Sequence, residues 1–315
     1  MILVTGGLGY LGGRMVDALV GAGLKVRVAT SRKISLLPEV DKLPYEVVEI
    51  DLMSIESLNL ACNGVSHIIH LAALNAIESN SDQKRALMIN GVGVLNLLKA
   101  AESNSVSNFI YFSTIHVYGN SLKGHIDEYT LPVPINSYAI THRLAEDYVL
   151  EAHARGVISS VIFRLSNVVG PPMVKDVNCW GLVTNNLCRQ ALAQGTLNLK
   201  TSRNSERDFI SISVISDLVL HAINQNLFKG EIFNVSSNNT STLESLVNLI
   251  ATRCNKILKT QPLISFSDDS SSSVLKNKPI FQISNKKIID TGFLIKLDIQ
   301  HDIDNLLKSC KKWFG

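Results

Sequence analysis

Three glycines spaced three residues apart near the start of the chain form the pattern that predicts chemistry most directly. Gly6, Gly9 and Gly12 follow an apolar segment at residues 2–4 and precede an amphipathic segment at residues 16–20. A tight turn at the first, close backbone approach at the second and helix packing at the third bring an anion to the N–H groups of a helix N-terminus. The segment predicts a dinucleotide site, and an ordinary glycine-rich turn is the alternative. The predicted contacts are Gly6, Leu8, Gly9, Tyr10, Leu11 and Gly12.

A second segment that could contact the cofactor lies at the end of the next predicted strand, residues 25–30. An Asp or Glu at this place bonds the 2′-hydroxyl of the adenosine ribose and selects NAD. The chain instead has Thr30, Ser31, Arg32 and Lys33, whose hydroxyls and cations suit a 2′-phosphate. The sequence therefore favours NADP over NAD as the cofactor, and a solvated basic loop is the alternative.

The elements that position these segments follow from alternating strand and helix patterns. Apolar strands are predicted at residues 45–50, 66–73 and 109–113, and a helix is predicted at residues 84–102. This alternation indicates an α/β fold, a doubly wound parallel Rossmann sheet with its ligand crevice at the carboxyl ends of the strands. The strand at 66–73 is apolar enough to be buried on both faces, so His70 is interpreted as a core histidine.

A chain of 315 residues is expected to form two lobes. The dinucleotide-binding domain is predicted at residues 1–168, with about 207–238 returning to it. A smaller C-terminal substrate-binding lobe is predicted at residues 169–206 and 239–315. The serine-rich segment 267–273 has no apolar residue to anchor it and is predicted to be a loop.

Composition excludes several function classes. Lys and Arg total 30 against 27 Asp and Glu, a net charge of +3, and they form no basic stripe, so nucleic acid is not expected as a partner. Five widely spaced cysteines without a close pair argue against a disulfide framework and a metal site. No apolar run reaches the roughly 18 residues of a membrane span, so a cytoplasmic protein with no membrane partner is predicted.

Several motifs together resemble one family, the extended short-chain dehydrogenases/reductases of the NAD-dependent epimerase/dehydratase family, whose relatives act on nucleotide-linked sugars. The resemblance rests on the glycine turn, on Asp51-Leu52, on Asn90 and on five longer segments. These segments are residues 70–73, 113–119, 164–171, 207–210 and 230–235.

The resemblance implies three catalytic positions. In the family a Tyr phenol exchanges the proton of the substrate hydroxyl, a Ser or Thr hydroxyl bonds the same oxygen, and a Lys four residues after the Tyr holds the nicotinamide ribose. Tyr138 and Thr114 match the first two positions, and His142 stands where the Lys is expected. Residues four apart share a helix face, so His142 can still reach the ribose. With an ordinary pKa of about 6.5, however, it is mostly neutral at pH 7.

The resemblance also implies the remaining cofactor contacts and a homodimer formed through the helices that contain Asn90 and Tyr138. The cofactor contacts outside the glycine turn are Thr30, Ser31, Arg32, Asp51, Leu52, Leu71, Ala72, Ala73, Asn90, Tyr138, His142 and Leu165.

Substrate contacts follow from the same comparison. Asn167 and Arg207 match positions that contact the nucleotide diphosphate, and Thr114 and His116 are placed near the sugar. Arg207 has an alternative role as a structural partner of Asp208, and His116 is either a general acid or a structural loop residue. A sugar 4,6-dehydratase of this family has Asp-Glu directly after the Thr, whereas this chain has Ile-His, so dehydration is disfavoured.

Two functions from different classes remain open at this point. The first is an NAD(P)-dependent oxidoreductase or epimerase acting on a nucleoside-diphosphate sugar, as a 4-ketoreductase or a 4-epimerase. The second is a catalytically weak or inactive dinucleotide-binding or sensor protein of the same fold. The intact Thr114 and Tyr138 favour the enzyme, and the missing lysine at position 142 favours the sensor.

Overall fold

The computed structural model describes residues 1–37, 40–120, 122–267 and 281–315. Its centre is a seven-stranded sheet with the strand order β11-β7-β5-β4-β1-β2-β3, and each neighbouring pair from β7 to β3 is parallel. The predicted α/β Rossmann fold is therefore confirmed. The strands are β1 Ile2–Thr5, β2 Val26–Thr30, β3 Glu46–Glu49, β4 His67–His70, β5 Asn108–Thr114, β6 Gly124–Ile126, β7 Ser159–Leu165, β8 Asn167–Val169, β9 Thr196–Leu199, β10 Glu206–Ser211, β11 Glu231–Val235, β12 Thr240–Thr242, β13 Leu263–Phe266 and β14 Phe281–Ile283.

The helix predicted at residues 84–102 is interrupted by a wider turn. It begins as a short α-helix, continues as a π-helix over Leu87–Val92 and then returns to α-helical geometry. A π-helical turn admits an extra residue and changes the direction in which the side chains point, and such turns are frequent at functional sites. The α-helices are α1 Tyr10–Gly21, α2 Ile55–Cys62, α3 Ala76–Ser81, α4 Gln83–Ala86, α5 Gly93–Ser103, α6 Ser137–Ala154, α7 Val183–Ala193, α8 Ile212–Asn224, α9 Leu243–Leu258, α10 Lys286–Ile289 and α11 Ile299–Phe314.

The chain divides into two compact units. The first comprises Met1–Leu122, Glu128–Leu165 and Ser216–Asn234, and its core lies where α2, α5 and α6 pack on the sheet. In α5 the buried residues Val94, Leu97, Leu98 and Ala101 recur every three or four positions, which places them on one helix face toward the sheet.

The second unit comprises Lys123–Asp127, Ser166–Ile215 and Val235–Gly315. Its core is formed by α7, α9 and α11 together with residues of β8, β9 and β10. Residues 207–215, which the sequence assigns to the dinucleotide-binding domain, lie in this unit because β10 pairs with β8 and β12. Residues 268–273 of the predicted serine-rich loop lie outside the described residues. Within the described ranges, no helix combines the length and the apolar character needed to cross a membrane.

Candidate active site

In the turn between β1 and α1, two backbone segments lie so close together that the glycine positions leave no room for a side chain. A Cβ on Gly12 would lie 2.2 Å from the Gly6 carbonyl oxygen, and Gly6 itself has a φ of +70°. The Gly9 N–H donates to the same oxygen at 2.8 Å, and α1 begins directly afterwards with no side chain capping its N-terminus. Leu8 precedes the N-cap residue Gly9, and Tyr10 and Leu11 are the first two residues of α1. Because no side chain caps this helix end, the glycine turn fits a dinucleotide pyrophosphate.

The predicted adenosine contacts follow β2 and β3. Thr30 is buried at the end of β2 and accepts a hydrogen bond from the Arg32 N–H at 3.1 Å, while Ser31 is exposed. The Lys33 ammonium lies 2.6 Å from the Glu49 carboxylate, which raises the pKa of this lysine through a hydrogen bond and charge attraction.

Asp51 and Leu52 take different positions in the segment that follows β3. The exposed Asp51 carboxylate accepts the Met53 N–H at 2.8 Å, whereas the Leu52 side chain is buried in the core. The strand ends bring Asp51 to the same edge of the sheet as the glycine turn, because the strands are parallel.

At the end of β4 the His70 ring is fully buried. Its Nδ1 lies 2.7 Å from the Thr5 hydroxyl, and that hydroxyl accepts the N–H groups of Leu71 and Ala72 at 3.2 and 3.3 Å. Burial lowers the pKa of His70 to about 4, so its ring is neutral at pH 7. Ala73, the last predicted contact here, is exposed. His70 is thus a core residue as interpreted, although its Nε2 has no partner among the described residues.

Asn90 lies in the π-helical turn and is buried. Its side-chain oxygen accepts the Leu74 N–H at 2.7 Å, and its amide donates to the hydroxyls of Ser79 at 3.3 Å and Thr141 at 3.2 Å. These bonds join the segment after β4 to α6. Asn90 therefore links the segment after β4 to α6 within the first unit.

Thr114 and Tyr138 form a hydroxyl pair. Thr114 ends β5, where its hydroxyl accepts the His116 N–H at 3.2 Å and is hydrogen-bonded to the Tyr138 phenol. Burial raises the pKa of Tyr138, and the bond to Thr114 offsets part of that rise. The two predicted catalytic hydroxyls are therefore adjacent, and Leu165 at the end of the neighbouring β7 is buried close to them in the sheet.

His142 lies one helical turn after Tyr138. The centres of the two rings are 4.4 Å apart in an edge-on arrangement, and the His142 Nδ1 lies 2.8 Å from the Tyr111 hydroxyl. Burial lowers the pKa of His142 to about 3, with smaller contributions from His70 and His116. The ring is thus neutral at pH 7, and its Nε2 has no partner within the described part of the chain.

Two neighbouring residues bear on this arrangement. The His116 ring centre lies 6.2 Å from that of Tyr138, which keeps a second histidine near the phenol. Arg143 is paired with Glu146 at 3.2 Å and with Asp147, so its charge is engaged by carboxylates later on the same helix.

The predicted substrate residues Asn167 and Arg207 lie in the second unit. The Asn167 amide donates to the Asp208 carbonyl oxygen at 2.9 Å, which fixes β8 against β10. The Asp208 carboxylate is held by Ser237 and by the Asn239 N–H.

The Arg207 guanidinium donates to the Glu206 carbonyl oxygen at 2.7 Å. Burial alone lowers its pKa, and none of the ion pairs between described residues includes it. The structure therefore does not show Arg207 paired with the Asp208 carboxylate, which was its alternative role. Arg207 is a partly buried cation whose counter-charge is absent from the described residues.

Sequence reasoning missed three residues of the first unit. Tyr111 contacts His142, Thr141 contacts Asn90, and the buried Ser113 hydroxyl lacks a partner in the described ranges. Tyr111 and Ser113 belong to the strand predicted at residues 109–113, and Thr141 is separated from Asn90 by 51 positions. The one available signal was a polar group within an apolar strand next to the predicted Thr114.

No group of three or more His, Cys, Asp or Glu side chains among the described residues is arranged to hold a metal ion. The polar groups gathered here are hydroxyls and imidazoles, and the cofactor expected beside them is a dinucleotide. Two buried Nε2 atoms that lack partners among these residues, together with the side-chain-free turn, show that the first unit fits such a cofactor.

Comparison with known proteins gives a family match. The model of the family described as "NAD dependent epimerase/dehydratase family" matches residues 2–236. Among curated relatives, UDP-glucuronic acid decarboxylase 1 of Arabidopsis thaliana is 26% identical over 296 residues, with 88% of this chain and 63% of the relative covered. The putative UDP-glucose 4-epimerase of Methanocaldococcus jannaschii is 25% identical over 256 residues, with coverages of 79% and 81%.

The chain spans about half the length of two further decarboxylases of A. thaliana, 49% and 48%. Solved structures show the same fold. MoeE5 in complex with UDP-glucose and NAD has a TM-score of 0.83 at 20% identity, covering 100% of this chain and 99% of that one. The UDP-glucose 4-epimerase of Thermus thermophilus in complex with NAD has a TM-score of 0.77 at 21% identity, with 99% of each chain covered.

Proposed function

The chain belongs to the NAD-dependent epimerase/dehydratase family, and we propose that it is an NAD(P)-dependent oxidoreductase or epimerase acting on a nucleotide-linked sugar. One observation carries the proposal: the Thr114 and Tyr138 hydroxyls are hydrogen-bonded to each other at the end of β5. A phenol held by a second hydroxyl is the pair needed to move a proton at a sugar carbinol or ketone. The reaction proposed is that of a 4-ketoreductase or a 4-epimerase.

Each residue has a distinct part in this proposal. The dinucleotide, when bound, accepts or returns a hydride at the sugar carbon. Tyr138 takes the proton from the sugar hydroxyl or returns it, and the Thr114 hydroxyl orients the same oxygen. The buried His142 offers a neutral ring nitrogen to the ribose in place of an ammonium. The unpaired Nε2 supports this contact, because a buried donor without a partner costs about 1–3 kcal/mol until it finds one.

The nucleoside diphosphate is proposed to bind at Arg207. A partly buried guanidinium with no carboxylate partner among the described residues suits two phosphate oxygens, since its planar donors bind both at once. The names of the curated relatives, a UDP-glucuronic acid decarboxylase and a putative UDP-glucose 4-epimerase, support a sugar linked to UDP. Asn167 is proposed to act beside Arg207, within the same unit.

NADP is proposed as the preferred form of the cofactor. Thr30, Ser31, Arg32 and Lys33 follow β2 and offer hydroxyls and cations to a 2′-phosphate. The ion pair of Lys33 with Glu49 weakens this preference, because a carboxylate next to the lysine repels the phosphate. Titration of the purified protein with NADP and with NAD tests the assignment, and tighter binding of NAD would overturn it.

A homodimer is proposed on the helices that contain Asn90 and Tyr138. Ile140 on α6 is 49% exposed, and Leu87 and Met88 on the π-helical turn are 45% and 39% exposed. Apolar side chains of this size on neighbouring helices are typical of a face that another subunit covers. Light scattering of the wild type and of Ile140→Lys tests this assignment, since the charge would shift the population toward monomer.

A binding or sensor protein is the second candidate function, and one observation favours it. The pKa of His142 is lowered to about 3, so position 142 carries no charge to stabilise the ionised Tyr138 phenol at neutral pH. Tyr138 is then a weaker base than a phenol beside a lysine by roughly tenfold to a thousandfold, given a shift of about 1–3 pKa units for a nearby cation.

A thermal-shift panel of UDP-, GDP-, CDP- and dTDP-sugars, run with NADP or NAD present, tests the proposed function. The matching sugar nucleotide should raise the melting temperature by mass action, and the same panel run on Arg207→Met should show the rise reduced. Turnover of that sugar, followed by product analysis, then separates the enzyme from the sensor. Stabilisation by none of the sugars at millimolar concentration would overturn the nucleotide-sugar proposal, and stabilisation without turnover would establish the sensor.

A further inference from the structure

The hydrogen bond between Tyr111 and His142 has no part in the mechanism proposed above. The Tyr111 hydroxyl on β5 lies 2.8 Å from the His142 Nδ1 on α6, and both side chains are buried. The other ring nitrogen of His142, Nε2, is buried without a partner among the described residues. A neutral imidazole carries its proton on one of these two nitrogens, and the partner of Nδ1 decides which one.

Two arrangements of protons are compatible with the 2.8 Å distance. If the Nδ1–H donates to Tyr111, the Tyr111 hydroxyl proton has no acceptor among the described residues and the Nε2 lone pair also remains unused. If Tyr111 donates to Nδ1, the hydroxyl proton and the Nδ1 lone pair are both satisfied, and one N–H at Nε2 remains free. The second arrangement leaves fewer unsatisfied groups in the protein interior and is therefore the stable one.

The ionisation of both groups agrees with this assignment. Burial raises the pKa of Tyr111 well above its ordinary value, with smaller contributions from Glu146 and Tyr138, so the hydroxyl keeps its proton to donate. Burial keeps His142 neutral, so its Nδ1 has a lone pair to accept that proton.

The neighbouring His70 is held in the same way. The Thr5 hydroxyl accepts two backbone N–H groups, from Leu71 and Ala72, so its own proton points to the His70 Nδ1 at 2.7 Å. His70 and Tyr111 are cross-strand neighbours on β4 and β5, and their rings stack with centres 6.0 Å apart. A hydroxyl donor to Nδ1 thus fixes both buried histidines of the first unit as the form that carries its proton on Nε2.

We propose that Tyr111 is a positioning residue that fixes His142 as the Nε2–H tautomer, so that the site presents a neutral N–H donor where a lysine ammonium would otherwise stand. The acceptor is a ribose hydroxyl of the bound dinucleotide, and this part of the inference rests on the proposed function. Tyr111 acts through His142, because its hydroxyl contacts the His142 Nδ1 and not the Nε2 that the ribose would meet.

The tautomer is measured on the unliganded protein, labelled with ¹⁵N at its eight histidines. Two-bond ¹H–¹⁵N correlation spectra show which ring nitrogen carries the proton, and His142→Leu identifies the His142 signals by removing them. In the wild type the proton should be on Nε2. In Tyr111→Phe the Nδ1 resonance should move and the Nδ1–H form should become populated. Tyr148→Phe removes a phenol hydroxyl on the same helix that makes neither of these hydrogen bonds, so it should leave the signals in place.

A double-mutant cycle on dinucleotide affinity separates positioning from a general structural role. Tyr111→Phe should weaken binding about five- to tenfold, which corresponds to one hydrogen bond of about 1 kcal/mol. In the His142→Leu background the same change should alter affinity by less than about twofold, since the residue through which Tyr111 acts is gone. Equal losses in both backgrounds would show that Tyr111 supports the fold and would overturn the proposal.

The outcomes also distinguish this inference from the proposed function. A wild type with the proton on the His142 Nδ1, or a Tyr111→Phe spectrum identical to that of the wild type, overturns the tautomer assignment. A wild type that binds neither NAD nor NADP overturns the proposed function and the ribose contact with it. In that case the spectrum of the unliganded protein still decides the role of Tyr111.

Discussion

Two buried polar clusters each include one residue of α6, and these two residues are one helical turn apart. The clusters differ in how many of their polar atoms have hydrogen-bond partners. The unpaired cluster consists of His70, Tyr111 and His142, whose two Nε2 atoms have no partner in the described part of the chain. The paired cluster consists of Tyr118, Glu146 and Arg164. There the Arg164 guanidinium donates to both Glu146 oxygens at 2.8 and 2.6 Å and to the Tyr118 hydroxyl at 2.9 Å.

The difference distinguishes buried polar groups that stabilise the fold from buried polar groups that are available to a ligand. Burial lowers the pKa of Arg164, but the hydrogen bonds and charge of Glu146 outweigh this effect, so the net pKa is raised and the guanidinium stays charged. Every charge in the paired cluster is satisfied by the protein itself, which fixes α6 against β7. The unpaired cluster leaves two buried nitrogens without a partner among the described residues, and such groups are available to a ligand. We therefore expect substitutions in the paired cluster to change stability and those at the unpaired cluster to change binding and catalysis.

The largest effect is expected beside the unpaired cluster, at Tyr138. Tyr138→Phe removes the only proton carrier that the proposed mechanism uses, so kcat should fall by about 10²- to 10⁴-fold. Dinucleotide affinity should stay close to that of the wild type, because the ring and its contact with His142 are kept. Initial rates and a cofactor titration on both proteins measure the two quantities. A variant with the wild-type rate would contradict the role of Tyr138 and make His116 the next candidate acid.

In the paired cluster, Arg164→Met should lower the free energy of unfolding by up to about 3–5 kcal/mol, since it leaves the buried Glu146 carboxylate with only the partly exposed Arg143, at 3.2 Å, as its cation. Arg164 and Glu146 are 1% and 0% exposed. Asp290→Asn is the matched control because the Lys286–Asp290 pair is 77% and 58% exposed. The control should change stability by less than about 1 kcal/mol. Urea unfolding of the three proteins provides the comparison, and equal losses would remove the distinction between the clusters.

The sequence predicted the local part of this arrangement well. The glycine turn is recognisable from its spacing along the chain, and the Thr114, Tyr138 and His142 positions come from the resemblance to the family. The parallel sheet then brings the strand ends together without further information. In the structure the Tyr138 phenol and the Thr114 hydroxyl interact.

Contacts between distant positions escaped the sequence analysis. Tyr111 belongs to a strand whose apolar neighbours indicate core, and its bond to His142 joins residues 31 positions apart. The π-helical turn at Asn90 depends on a shifted hydrogen-bond pattern that side-chain spacing alone does not determine. Residues 207–215 were assigned to the first domain because they precede a returning helix, whereas pairing of β10 with β8 and β12 places them in the second unit.

A cation introduced into the unpaired cluster should change the pH dependence of catalysis. Because burial raises the pKa of Tyr138, the oxidative kcat/KM of the wild type should rise about tenfold per pH unit from neutral pH toward the pKa. His142→Lys supplies an ammonium that lowers the pKa of the phenol, which moves this rise to lower pH. A shift of two pKa units, about 2.7 kcal/mol, raises the rate near neutral pH by up to about a hundredfold.

His142→Gln is the control for this prediction, since it changes the side chain and adds no charge. Its pH profile should keep the midpoint of the wild type. If His142→Lys binds the dinucleotide and yet shows the same midpoint, the phenol is not the titrating base, and the charge at position 142 does not govern the reaction.

The smallest effect is expected at the surface, at an exposed ion pair. There, too, a charged group that is paired within the protein is less available to the cofactor. Lys33 follows β2 and is paired with Glu49 on β3 at 2.6 Å, with side-chain exposures of 71% and 36%. Glu49→Gln releases the lysine and removes a negative charge next to the expected 2′-phosphate. Binding of NADP relative to NAD should improve about two- to fivefold, and the gain should shrink in high salt because exposed charges are screened.

Glu46→Gln provides the matched control for the change at Glu49. Glu46 lies on the same strand and pairs with Arg27 at 2.8 Å, away from the end of β2. It loses the same charge and should leave the ratio of NADP to NAD affinity unchanged, so any difference between the two variants comes from the position of the lost carboxylate. If Glu49→Gln strengthens both cofactors equally, Lys33 contacts a phosphate common to both, and the preference for NADP has to rest on Thr30, Ser31 and Arg32.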